Sequence, residues 1–359
     1  MTLLNKFPEV SREASRVLAA AGLRMALPMI AAIVLLAAGV SAHADSLTID
    51  PTFDTSITND PNAAAIEGAI NGAISTLESD IASPNNIAVD IYFTEGGGLG
   101  GSLTGIYQPT YYQYYNAFKA VATSPAQLTA LASLGPAPTG PGSGNPVNGN
   151  TGVDITSAEG RNLGFNTPAA VIVGSGTYDS EITLNTSLTY PPQSNTGSYY
   201  GLEAVANHEI DEALGIGGTG STLDGTGSLT GPVGDLDLYR YSAPGVYSYS
   251  NLQTTSPYAY FSIDGGNTVL SYFNQTSGAD LGDWLSNPIP NGFQPQVQDA
   301  FGQQGTDPVL GVNELAAFSA IGYELVAPEP SSLLLFVSAL AIFAGACKRR
   351  AGLRQSRPV

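Results

Sequence analysis

The chain has 359 residues, with 30 acidic and 12 basic side chains and a formal net charge of −18. Four of the basic residues precede residue 25 and five follow residue 347, leaving only Lys119, Arg161 and Arg240 between them. Nucleic-acid binding needs clustered Lys and Arg against phosphates, so that class is excluded, whereas an anionic surface suits divalent cations and cationic partners.

In chain order, Lys6, Arg12, Arg16 and Arg24 precede an apolar run from Met25 to Val40. Ala42-His43-Ala44 then supplies the small-x-small pattern cut by a signal peptidase. The run is about 16 residues, short of the roughly 20 that span a bilayer comfortably. These features predict a secretory signal over residues 1–44, with the exported chain beginning at Asp45. Cleavage would remove Met1, Met25 and Met29, which are all the methionines, and His43, one of two histidines. The single cysteine, Cys347, lies near the other end. The region between therefore has no disulfide and rests on core packing.

Residues 45–326 read as a single domain of α+β class, with no internal repeat. Ala63, Ile66, Ala69, Ile70, Ala73, Ile74 and Leu77 predict an amphipathic helix within Asn62 to Ala82. Ile87 to Phe93 alternates as a strand, and Gly96 to Gly101 reads as a flexible turn, either a hairpin or the rim of a cleft. Tyr111 to Leu134 is helix-like, its tyrosines forming an aromatic face on a sheet, and Pro136 to Gly152 is a loop. Strands follow at Val171 to Val173 and Glu181 to Asn185. Tyr199 to Leu214 has the spacing of a buried helix stopped by Gly215, Gly217 and Gly218. The later half is rich in turns, with short strands around Tyr258 to Ile263 and Val269 to Phe273. Trp284 reads as a core or turn-locking residue, and a last apolar helix spans Gly311 to Ile321.

One segment carries chemistry: His208-Glu209-Ile210-Asp211-Glu212-Ala213-Leu214-Gly215. On a helix, His208 and Glu212 face the same side about 5–6 Å apart, so an imidazole and a carboxylate can grip one divalent ion. Glu209 points toward the open coordination position. The pattern follows the H-E-x-x-H zinc helix, where the intervening Glu is general base for a metal-activated water, with Glu in place of the second His. Gly215 stands where metzincin-type proteases break this helix, and Gly218, which has no side chain to ligate, stands at their third-ligand position. The third ligand is then a carboxylate or a weaker oxygen, with Asp224, Asp235 and Asp237 the nearby candidates and Asp237 favoured because it opens the Tyr239-Arg240-Tyr241 turn. Zinc suits this set, and so do manganese or calcium, given its oxygen content.

At the C-terminal end, Pro328-Glu329-Pro330, an apolar stretch from Leu333 to Ala346, and Lys348-Arg349-Arg350 follow in fixed order. Cations after an apolar helix place that end in the cytoplasm. The three parts resemble the PEP-CTERM sorting signal of Gram-negative bacteria. The resemblance implies a tail over residues 327–359 with a transmembrane segment, processing by an exosortase, and delivery to the cell surface or extracellular matrix.

The His208–Gly215 segment is joined by Asp237-Leu238-Tyr239-Arg240-Tyr241-Ser242-Ala243-Pro244-Gly245, by Tyr260 to Gly266, and by Asp280-Leu281-Gly282-Asp283-Trp284. Together these resemble a family of PEP-CTERM-sorted metalloproteases, over roughly residues 85–325. The resemblance implies a metzincin-like zincin fold, a mixed sheet with a central active-site helix and an irregular C-terminal half. It also implies hydrolysis of peptide or protein substrates. Zinc would be held by His208, Glu212 and Asp237, with Glu209 as base and Arg240 or Tyr241 steadying the oxyanion. Arg161 and Arg240 otherwise pair with carboxylates. The rival expectation is a non-catalytic surface or matrix protein with a structural divalent cation. A carbohydrate-active protein fits the export route but lacks an identifiable carboxylate pair.

Overall fold

Alternating side chains build the main sheet. In β1 (Leu47–Phe53) Leu47 and Ile49 are buried, and in β2 (Ile87–Glu95) Ile87, Val89, Ile91 and Phe93 are, which is the period-two pattern of strands with one face on a core. Between them runs helix α1 (Ala63–Asp80), which buries Ile66, Ile70, Ala73, Ile74 and Leu77. β3 (Gly100–Thr104) and β4 (Ser180–Leu184) complete the sheet in the order β1-β2-β4-β3. β1, β2 and β4 are mutually parallel, and β3 pairs antiparallel with β4 at the edge. This computed structural model describes residues 46–223, 229–250, 258–286 and 294–326. The predicted signal, the sorting tail with its apolar stretch, and Asp224 lie outside the described residues. Among the described residues no helix is long and apolar enough to cross a membrane.

Two expectations are corrected by tertiary context. Tyr111 to Leu134 is not one helix but two, α2 (Tyr111–Val121) and α3 (Pro125–Ser133). Ser124 caps α3 with Gln127 in a capping box and Pro125 sits in its first turn, a start signal that a continuous helix cannot absorb. The turn expected over Gly96 to Gly101 becomes strand from Gly100, because pairing with β4 overrides the poor strand preference of glycine. The aromatic face of α2 is as expected: Tyr111, Tyr114, Tyr115 and Phe118 are buried in the core.

The central helix α4 (Leu202–Leu214) packs against α1 and β3. It starts later than its spacing suggested because Tyr200 and Gly201 pair with Thr189 and Tyr190. Every residue of α4 is buried except Glu203 and His208. Gly215 ends the helix with φ 117°, the left-handed conformation that only glycine adopts without strain.

The later half is mostly loops around a small antiparallel sheet that includes β5 (Arg240–Ala243), β6 (Tyr260–Phe261) and β7 (Ser271–Tyr272). Trp284 locks this half to the core. Its fully buried ring lies 5.5 Å from Phe261 and 5.3 Å from Phe273, and its Nε1–H donates to Glu314 Oε1 of the last helix, α5 (Val312–Ala320), at 3.1 Å. The fold is thus mixed α+β, with its regular layers in the first part of the chain and its loops in the second.

Candidate metal centre

Helical spacing brings His208 and Glu212 onto one side of α4, with Nε2 of the imidazole 3.8 Å from Glu212 Oε1. From a loop far downstream, Asp283 Oδ2 comes within 3.7 Å of the same nitrogen. The potential ligand atoms of the three residues all lie within 4.8 Å of one another. Asp283, and not Asp237, is therefore the carboxylate that the fold brings to His208 and Glu212.

The partners around each side chain fix its orientation. His208 Nδ1 is 3.0 Å from the Val297 carbonyl. A carbonyl only accepts, so Nδ1 carries the hydrogen and Nε2 is left to face the carboxylates, as metal-binding histidines require. Glu212 is held at both oxygens: the Ser102 hydroxyl of β3 donates to Oε2 at 2.5 Å, and the Gly218 N–H donates to Oε1 at 3.1 Å. A Cβ at position 218 would collide with that same Oε1, so the backbone approach needs glycine. The Gln298 amide donates to Asp283 Oδ1 at 3.0 Å and lies 3.3 Å from His208 Nε2.

The loop carrying Asp283 is braced by main-chain acceptors. Asn274 N–H donates to the Asp283 carbonyl at 2.7 Å, and its side-chain amide donates to Asp280 O at 2.9 Å. Arg240 Nη1 donates to Leu281 O at 2.6 Å while its guanidinium lies 4.4 Å from the Phe273 ring centroid. Arg240 is 1 % exposed and turns both Nη groups to main-chain carbonyls, Leu281 O and Asn274 O, so the oxyanion role expected for it has no geometric basis. Tyr241 stacks on Tyr247 at 4.8 Å and is fully buried. Arg161 pairs with Asp179 at 2.8 Å, as expected of a lone cation in an acidic domain.

The other sequence candidates sit elsewhere. Asp237 is buried and accepts from Ser221 Oγ at 2.7 Å, Gly234 N at 2.9 Å and Thr222 N at 3.0 Å, so it ties together the turns after α4. Asp235 is buried beside Glu159, and burial with that neighbour pushes Glu159 well above the ordinary carboxylate range.

Glu209 is 5 % exposed and lies against β3, where a Cβ on Gly100 would collide with its Oε1. It lines a cavity of about 440 Å³ together with His208, Glu212 and Asp283. Burial, opposed by His208 and reinforced by Glu212 and Asp283, pushes Glu209 up to about 8. Asp283 is raised by burial to about 8 in the same way. Burial opposes the charge of His208, yet Asp283, Glu209 and Glu212 hold its pKa up at about 10. Once ionised, three desolvated carboxylates around one imidazole hold more negative charge than that imidazole can neutralise, an excess that a divalent cation can answer. One nitrogen and two carboxylate donors, with room left on the cavity side, fit a three-ligand zinc site and equally an oxygen-tolerant manganese or calcium site.

Sequence reasoning missed Asp283 as a ligand, although it lies in a segment that carried the family resemblance. The only local signal was an acidic residue between a glycine and the lone tryptophan, Gly282-Asp283-Trp284. Comparison of the chain with protein-family models, with curated proteins and with solved structures returned no match.

Proposed function

We propose that this chain is an exported, metal-dependent peptidase of metzincin-like fold, held at the cell surface by its sorting tail before exosortase processing. The observation that carries the reading is the convergence of His208, Glu212 and Asp283 on the wall of a cavity that Glu209 also lines. The fold supports it: α4 lies under a mixed sheet whose edge strand β3 is antiparallel and touches the helix through Ser102 and Gly100.

In this mechanism, His208 Nε2, Glu212 and Asp283 would hold zinc, with Val297 O, Ser102, Gly218 N–H and Gln298 keeping the three side chains in place. The chemistry the ion would supply there is polarisation of a peptide carbonyl and a lowered pKa of water. Glu209 takes a proton from the water that adds to the peptide carbonyl and delivers it to the amine that leaves as the C–N bond breaks, a role its place on the cavity wall beside the three ligands allows. Arg240 and Tyr241 contribute by holding the Asp283 loop and the aromatic core.

Metal content and casein hydrolysis, measured on the purified protein and on Glu209→Gln, test this. The substitution should leave bound metal unchanged and lower turnover by roughly 10²–10⁴-fold. Turnover that survives it sinks the mechanism, and a wild-type protein that binds metal without hydrolysing peptides makes the cation structural.

A further inference from the structure

Two carboxylates in the cavity are left over by the metal centre. Asp280 lies beside Glu212: a Cβ on Gly218 would touch Glu212 Oε1 on one side and come within 2.9 Å of Asp280 Oδ2. Unlike Glu212 and Asp283, Asp280 is exposed, and among the described residues no hydrogen bond occupies its side chain. Asp299 lines the same cavity from its other segment and is only 8 % exposed. The hydrogen bond its carboxylate accepts, from the Gln296 N–H at 3.0 Å, uses Oδ2 and leaves Oδ1 without one. A carboxylate that desolvated is costly unless something cationic meets it.

Among the described residues no lysine or arginine lines the cavity. The neighbouring walls are short and neutral: Gly98, Gly101, Ala300 and Gly302 leave space without supplying a counter-charge. A divalent cation on His208, Glu212 and Asp283 neutralises its own ligands but neither of these two aspartates.

We propose that the cleft is selective for peptides bearing a lysine or arginine side chain near the bond to be cleaved, with Asp280 and Asp299 receiving the cationic group. The inference rests on the peptidase reading for the word "cleaved", but charge selection is a property of binding and is measured without turnover. A peptide with an acidic side chain at that position meets two unneutralised carboxylates in a partly desolvated site, where like charges repel most.

The test uses zinc-loaded, full-length Glu209→Gln protein and two alanine-based heptapeptides, one with a central lysine and one with a central glutamate. Calorimetry should show the lysine peptide binding tighter by about tenfold or more, with the preference shrinking at high salt. Asp280→Asn and Asp299→Asn keep the side-chain volume and one acceptor oxygen each while removing the charge, and together they should bring the two peptides to near-equal affinity. Asp60→Asn, a charge removal outside the cavity, should leave the preference intact. Equal binding of the two peptides, or a preference that survives both cavity substitutions, overturns the proposal. A loss of zinc affinity in Asp280→Asn makes that residue a ligand and overturns its role here. Selective binding by a wild-type protein that hydrolyses nothing retires the peptidase reading while selection stands, and unselective hydrolysis does the reverse.

Discussion

Asp307 Oδ1 accepts the Ala204 N–H at 3.1 Å, capping the helix that bears His208 and Glu212 from a loop near the other end of the domain. The residue at the N-cap, Gly201, has no side chain to do this, and the Asp307 carboxylate fills the space where a Cβ would stand. Asp307→Ala leaves the third amide of the helix unpaired and should cost about 1 kcal/mol, the usual worth of an N-cap. Denaturant unfolding reads this directly, and an unchanged midpoint would show that water replaces the carboxylate.

Gly218 marks where this site departs from a three-histidine pattern. Its N–H orients Glu212, and any side chain there strikes the Glu212 carboxylate. Gly218→Ala should therefore weaken metal binding by about 10–100-fold, the range typical of lost support around a ligand. Competition with a chelator of known affinity measures it; unaltered affinity would mean that Glu212 does not ligate.

The Arg240 guanidinium reaches both Leu281 O and Asn274 O, at 2.6 and 3.4 Å, and so spans the loop that presents Asp283. Lysine keeps the charge but not the planar fork. In Arg240→Lys the loop loses one of its two anchors, and metal affinity should fall by roughly tenfold. Cobalt substitution adds a second readout, since a displaced carboxylate alters the visible spectrum of the ion. A variant with native affinity and spectrum would show that Asn274 alone holds the loop.

Stability of the metal-free protein should fall as pH rises. Glu209 and Asp283 go from ordinary values of 4.5 and 3.8 to about 8 on burial, so each binds its proton more tightly when folded. Their contribution is complete below the unfolded pKa and is lost as pH climbs through about 8. His208, held at about 10 against an ordinary 6.5, has the same sign over a higher window. Metal ligation favours the deprotonated carboxylates. The gap in melting temperature between zinc-loaded and chelator-treated protein should therefore widen from about pH 5 to about pH 8, and a gap that stays constant would contradict the assignment.

The sequence was most readable where chemistry is local. His208, Glu209, Glu212 and the glycine stop at Gly215 follow from one turn of helix and the next, and the structure holds them as the spacing requires. Asp283 could not be found that way, because its place depends on Trp284 packing against Phe261 and Phe273 and on Arg240 bridging two carbonyls. Asp237 was favoured for its position before the Tyr239-Arg240-Tyr241 turn, yet its carboxylate is absorbed by Ser221, Thr222 and Gly234. The strand at Gly100 was hidden for a similar reason: glycine carries no strand preference, and only the partner strand supplies the pairing. The break at Ser124-Pro125, by contrast, is written locally, in the Ser124–Gln127 capping box and the proline of the first turn.

The distance along the chain between His208 and Asp283 has a consequence for biogenesis. A ribosome that has released α4 has not yet released Asp283, nor the Val297 carbonyl that sets the imidazole tautomer. The emerging polypeptide therefore carries half a site until nearly all of the domain is out and its loops have docked. In this order the unfolded chain never presents His208, Glu212 and Asp283 together, because completion of the fold and completion of the cluster are the same event.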